Sequence, residues 1–79
     1  MKLSLKDIPD TTILKQQYLW CNNRDLAFTY DSFPEWPQKL VLSKMGKLYE
    51  KGYLDFGVSL RTSWLTDKGI ELLRSNGLL

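Results

Sequence analysis

Residues 39–54 read KLVLSKMGKLYEKGYL, and the phase of their apolar side chains decides how the rest of the chain folds. At about 100° per residue, Val41, Leu42, Met45, Leu48 and Tyr49 fall within a sector roughly 120° wide, the width of a helix face that packs on a core. Lys39, Ser43, Gly46, Lys47 and Glu50 cover the opposite side, with Leu40, Lys44 and Lys51 along one border. Pro37 opens this helix, because its fixed φ suits a first turn. Gly52 closes it, because glycine tolerates the left-handed conformation a helix end asks for. The helix is therefore expected over residues 37–51.

Beyond Gly52 the apolar period changes from about 3.6 residues to about 2. Leu54, Phe56, Val58 and Leu60 alternate with Asp55, Gly57 and Ser59, the pattern of a half-buried strand. A turn near Ser59-Leu60-Arg61-Thr62 returns the chain through Ser63-Trp64-Leu65, which predicts a hairpin. Thr66 then caps a last helix in which Ile70, Leu72 and Leu73 are apolar, and Gly77 ends it. A glycine at 69, inside the first turns, costs helix stability and implies a packing reason.

Towards the N-terminus, Pro9-Asp10-Thr11-Thr12 starts a helix over residues 10–23. Ile13, Leu14, Tyr18 and Cys21 form its stripe, with Trp20 at the edge. In residues 24–36, RDLAFTYDSFPEW, Leu26–Tyr30 reads as a short extended segment. Asp31-Ser32 caps a single helical turn through Phe33, Pro34 and Glu35. Phe28, Tyr30, Phe33 and Trp36 are too many large aromatics for an exposed loop and are expected beneath the helices. Trp36 and Trp64 are assigned to core or hairpin packing, and Cys21 is expected to be an inert buried thiol. Trp20, Leu40, Leu60 and Leu78-Leu79 are the candidates for exposed apolar surface, on which a homodimer could form.

The chain has 79 residues, 43% of them hydrophobic and 13% aromatic, which suits one packed domain over residues 1–79 rather than a disordered segment. No apolar run approaches the roughly 20 residues of a membrane span. Met1–Lys6 alternates apolar and polar residues instead of forming a leader's apolar stretch, so a cytoplasmic protein is expected. With one cysteine and no histidine, an internal disulfide and Cys/His zinc sites are excluded, and no metal or cofactor is expected. The same absence removes the commonest general base, and the carboxylates are scattered through turns and helix starts, so no enzyme is expected. The net charge of +2 is unevenly distributed: residues 1–36 carry four cations against five acids, and residues 37–79 carry seven against four. A basic half suits a polyanionic partner.

Two motifs add a resemblance. Leu48, Gly52, Tyr53 and Leu54 match the L-x-x-x-G-hydrophobic-hydrophobic end of a recognition helix, and Leu65-Thr66-x-x-Gly69 follows 13 residues after Gly52. Together these resemble the winged helix-turn-helix superfamily over residues 37–73, particularly small stand-alone winged-helix proteins of bacteria and phages. The resemblance implies an α+β, mostly α fold: a three-helix core with a two-stranded β-hairpin wing and a C-terminal helix. The usual second helix is here shortened to a turn around Asp31–Trp36. It further implies double-stranded DNA as partner and a role in regulating transcription or a mobile element. Gln38, Lys39, Ser43 and Lys47 would meet the major groove or its phosphates, with Gly46 permitting close approach. Arg61 and Thr62, at the hairpin tip, would contact backbone or minor groove. The alternative implication is a winged-helix module that binds another protein through the hairpin or segment 26–36.

Overall fold

The computed structural model describes residues 5–79, and Met1–Ser4 of the alternating start lie outside them. Helix formation begins where expected. Pro9 precedes α1 (Asp10–Asn22), and the backbone N–H of Asn23 closes it on the carbonyls of Leu19 and Trp20. Pro37, at φ −59°, precedes α2 (Gln38–Glu50). Gly52 takes φ 85°, which lets Tyr53 N–H bond the Leu48 carbonyl and Gly52 N–H the Tyr49 carbonyl, at 2.9 Å each. Those two bonds form a Schellman end that turns the chain from helix to strand.

β1 (Leu54–Asp55) then pairs antiparallel with β2 (Trp64–Leu65), in the register Leu54 with Leu65 and Asp55 with Trp64. Leu54 and Leu65 face the core, while Asp55 and Trp64 point outward. Thr66 follows as the cap of α3 (Asp67–Ser75), its side chain accepting from Gly69 N–H. One-turn 3-10 helices occupy Leu5–Asp7, Thr29–Asp31 and Leu60–Thr62. The fold is α+β and mostly helical: three helices, with a two-stranded hairpin inserted between the second and third. Ile8, Ile13, Leu14, Val41, Met45, Leu48, Leu54, Leu65 and Leu73 form one core to which every helix and both strands contribute. No helix of the described residues is long and apolar enough to cross a membrane.

Gly69 has the packing reason its position implied. A Cβ there would lie 2.3 Å from the Tyr53 carbonyl oxygen, so only glycine lets α3 approach β1 this closely. That same oxygen accepts the Thr66 N–H at 3.0 Å, and the Thr66 hydroxyl donates to the Gly52 carbonyl at 2.6 Å.

Several expectations change. The buried stripe of α1 is Ile13, Leu14, Gln17 and Trp20, while Tyr18 and Cys21 are only half-buried. Gln17 goes inside because its amide is fully used: Nε2 donates to the Ser63 carbonyl at 2.6 Å, and Oε1 accepts the Thr29 hydroxyl at 2.6 Å. A buried amide satisfied at both ends avoids the desolvation penalty that otherwise keeps glutamine at the surface. Trp20 is buried, not exposed, under Arg24, whose guanidinium sits 4.5 Å from the ring centroid, and beside Phe28 at 5.4 Å. Cys21 donates its thiol to the Ser63 carbonyl at 3.3 Å. Burial pushes its pKa up, outweighing nearby Arg24, so the thiol stays protonated.

Leu26–Tyr30 is not extended. A 3-10 turn covers Thr29–Asp31, because Thr29 is drawn inward to Gln17, and Phe33–Trp36 forms a separate tight turn closed at 3.1 Å. Phe28, Tyr30, Phe33 and Trp36 are half-buried instead of covered by the helices: Tyr30, Phe33 and Trp36 pack against the core, and Phe28 lies on Trp20. The expected strand through Leu60 stops at Asp55, and Val58 is 95% exposed. Gly57 and the 3-10 turn at Leu60–Thr62 break the alternation, so the segment 56–63 is a loop. Trp64, on the outer side of this two-pair ladder, is 47% exposed instead of covered. Leu40 and Leu60 are half-buried against the core, and Leu78 and Leu79 are exposed.

Two substitutions test these contacts. Gly69→Ala gains about 1 kcal/mol of helix propensity, but its methyl meets backbone, which cannot swing aside. A net loss of about 1–3 kcal/mol is expected in chemical denaturation, whereas Gly57→Ala, which meets nothing within 4 Å, should lose little. Ser63 is fully buried, and its hydroxyl oxygen has no partner among the described residues. Ser63→Ala should therefore be neutral or raise stability by up to about 1 kcal/mol, since it removes an unsatisfied polar atom and keeps the carbonyl that Gln17 uses.

Candidate nucleic-acid interface

α2 is held on three sides. Val41, Met45 and Leu48 are fully buried in the core. Tyr49, expected on that face, lies at its margin, 45% exposed, and Leu42 is half-buried. The place freed in the buried set is taken by Lys44, only 8% exposed, which sequence reading put on a border.

Lys44 is inside because Asp10, the first residue of α1, reaches it. The Asp10 carboxylate pairs with Lys44 through one oxygen and with Lys51 through the other, the latter at 3.1 Å. Burial alone would raise the Asp10 pKa, but the hydrogen bonds and charges of Lys44 and Lys51 outweigh it and hold the carboxyl below its usual 3.8. One carboxylate thus takes Lys44 out of the cations available to a ligand and engages Lys51, which stays exposed just past the end of α2. Lys44 and Lys51 are seven residues apart, two turns along one side of a helix, which is the signal that could have grouped them. Nothing in the sequence pointed to Asp10 as their partner, because it is more than thirty residues away.

The flank of α2 towards the hairpin is also occupied. Gly46 faces Leu60: a Cβ on it would lie 3.8 Å from the Leu60 side chain. Phe56 packs on Tyr49, with ring centroids 4.9 Å apart. Gly46 therefore permits the close approach of the hairpin loop, whereas the sequence had reserved that space for a ligand.

What remains is an arc carrying Lys39, Ser43 and Lys47, which fall within about 80° of one another at 100° per residue, with Glu50 inside the same arc near its C-terminal end. All three are exposed. Lys39 and Ser43 make no hydrogen bond or ion pair among the described residues. Lys47 pairs with Glu50 at 3.4 Å, an exposed contact that is readily broken. Gln38 lies off this row, and its amide donates to the Asp31 carboxylate. Leu60 on Gly46 brings the turn Leu60–Thr62 beside α2, and with it the exposed Arg61 and Thr62. Ser59 shapes that turn: its hydroxyl accepts Arg61 N–H at 3.2 Å, and its carbonyl accepts the Thr62 hydroxyl at 3.1 Å. Of the six residues singled out from sequence, Lys39, Ser43 and Lys47 form one row, Arg61 and Thr62 sit on the adjoining turn, and Gln38 stands apart. No group of three His, Cys, Asp or Glu that could hold a metal ion occurs among the described residues.

The ionic contact sets a pH dependence. Because the folded Asp10 pKa lies below its unfolded value, its contribution is present above that unfolded value and is lost as pH falls through the folded one. Asp10→Asn should flatten the loss of thermal stability below about pH 4. At neutral pH it should cost about 1–3 kcal/mol, because Lys44 keeps its burial and loses its counter-charge. An unchanged acid profile in Asp10→Asn would show that the pair contributes nothing.

Compared with known proteins, the chain matches no family model, no curated protein and no solved structure.

Proposed function

We propose that this chain is a small winged-helix protein that binds double-stranded DNA in the cytoplasm and regulates transcription or a mobile element. In this reading α2 stands in the place of the recognition helix and meets the duplex, and the β1–β2 hairpin with its loop is the wing. The observation that carries it is the juxtaposition of an exposed lysine row on α2 with the arginine-bearing turn that leans on the same helix. The element order supports the reading too: a helix, a single 3-10 turn, a second helix ended by glycine, an antiparallel hairpin and a third helix. Phosphate contacts by lysine and arginine would provide affinity, and release of condensed counterions would make that affinity salt-dependent.

A second reading is favoured by a different observation. Trp64 and Val58 expose apolar surface on the hairpin, Trp64 on its outer face and Val58 in its loop, which suits a winged-helix module that docks a protein. The two readings separate in a mobility-shift titration with mixed-sequence duplex DNA at low ionic strength. The DNA reading expects a shift that fades with added salt. It also expects Lys39→Ala and Lys47→Ala each to weaken binding several-fold, with thermal stability nearly unchanged because both side chains are exposed. No salt-sensitive shift of the wild-type protein would remove the DNA reading and leave the hairpin surface as the candidate.

A further inference from the structure

Resting on the DNA reading, we propose that α2 lies along the phosphate backbone of the duplex and does not enter the major groove, so that binding is independent of base sequence. Three observations carry this. The first concerns the groups that could read a base edge. α2 carries no arginine or asparagine, and its one amide, Gln38, is bonded to Asp31. A base edge or phosphate approaching Gln38 meets the Asp31 carboxylate as well, which repels the duplex there and holds the amide. The planar arginine–guanine and amide–adenine pairings are therefore missing from the helix, and only the flexible Lys39 and Lys47 and the short Ser43 could meet a base edge.

The second is steric. A helix seated in the major groove presents a broad arc to the groove floor and walls. Here Leu60 and Phe56 cover one flank of α2, and Asp10 with the start of α1 covers the other. The arc left between them, about 140° at 100° per residue, holds Leu40 and the exposed Glu50 carboxylate as well as Lys39, Ser43 and Lys47. An acid and an apolar side chain thus stand where the groove floor would lie, while the long lysines still reach phosphates.

The third is the layout of the charges. Lys39 and Lys47 are eight residues apart on one row, about 12 Å along the helix axis. Arg61 adds a third cation from the neighbouring turn. Long flexible cations along this face, with Ser43 and Glu50 among them, make point-charge contacts with phosphates more readily than fixed contacts with base edges. Lys47 exchanges its exposed Glu50 partner for a phosphate at small cost.

Three phosphate contacts set the expected salt dependence. Fluorescence anisotropy of the intact protein, titrated into several duplexes of equal length and unrelated sequence from low to moderate salt, reads both quantities at once. Affinities for the different duplexes should agree within about threefold, against the thousandfold or more that separates specific from non-specific binding. The slope of log affinity on log salt should be about −2.7, and Lys39→Ala and Arg61→Ala should each make it shallower by about 0.9. Gln38→Ala should leave affinity for every duplex unchanged. Far-UV circular dichroism of each variant confirms that it is folded. A duplex preferred by tenfold or more, or a Gln38→Ala loss confined to one sequence, overturns this inference and leaves DNA binding standing. Absence of binding to every duplex at low salt overturns both.

Discussion

The Tyr53 carbonyl is the point on which the rest of the structure depends. It accepts the Thr66 N–H at 3.0 Å, and Gly69 packs against it where any side chain would collide. One strand end, one helix cap and one helix face thus meet at a single atom. Around it, Thr66 bonds the Gly52 carbonyl, and Lys68 donates to the Lys51 carbonyl at 2.8 Å while its ammonium lies 5.0 Å from the Tyr53 ring centroid. The Lys51 and Gly52 carbonyls, just beyond the end of α2, are thereby satisfied by the cap and first turn of α3. The β-ladder has only two residue pairs, too few to hold itself together, and this junction is what anchors its base.

The consequence reaches the candidate interface. With the hairpin fixed at its base, the loop 56–63 is free of ladder geometry and settles by packing, Phe56 on Tyr49 and Leu60 on Gly46. Those two contacts set where Arg61 and Thr62 lie and close one flank of α2. The other flank is closed by polar contacts from α1. Asp10 draws Lys44 inward, and Gln17 ties α1 to the carbonyl of Ser63 at the start of β2. The α1 contacts are therefore partly polar. A buried amide or charge is tolerated there because each has its partners, and removing a partner would cost more than the interaction itself gains.

Much of the architecture was legible because it rests on local rules. The apolar phase of residues 41–48, the positive φ demanded of Gly52, the cap at Thr66 and the crowding implied by Gly69 are each readable within a few residues, and all stand in the structure. The site was legible only as a set of exposed cations. Lys39, Ser43 and Lys47 follow from helix periodicity, which needs no partner to be known. The role of Gly46, the burial of Lys44 against Asp10 with Lys51 paired to its other oxygen, and the engagement of Gln38 by Asp31 were not legible, since each depends on a residue brought from elsewhere in the fold. Val58 shows the opposite failure: a local alternation that looked like a strand found no partner strand to pair with beyond Asp55.

By itself, then, the sequence determined the three helices, their caps, the existence of a hairpin between the second and third, and the basic excess of the second half. These are consequences of backbone geometry and side-chain periodicity, which act over one or two turns. Only the tertiary structure decided which cations stay free and which face of α2 stays open. Burial of Lys44 and occupation of the Gly46 flank depend on where α1 and the hairpin loop dock, and that is settled by contacts between residues far apart along the chain. A charge on a helix is local information, whereas its availability depends on its surroundings in the folded chain.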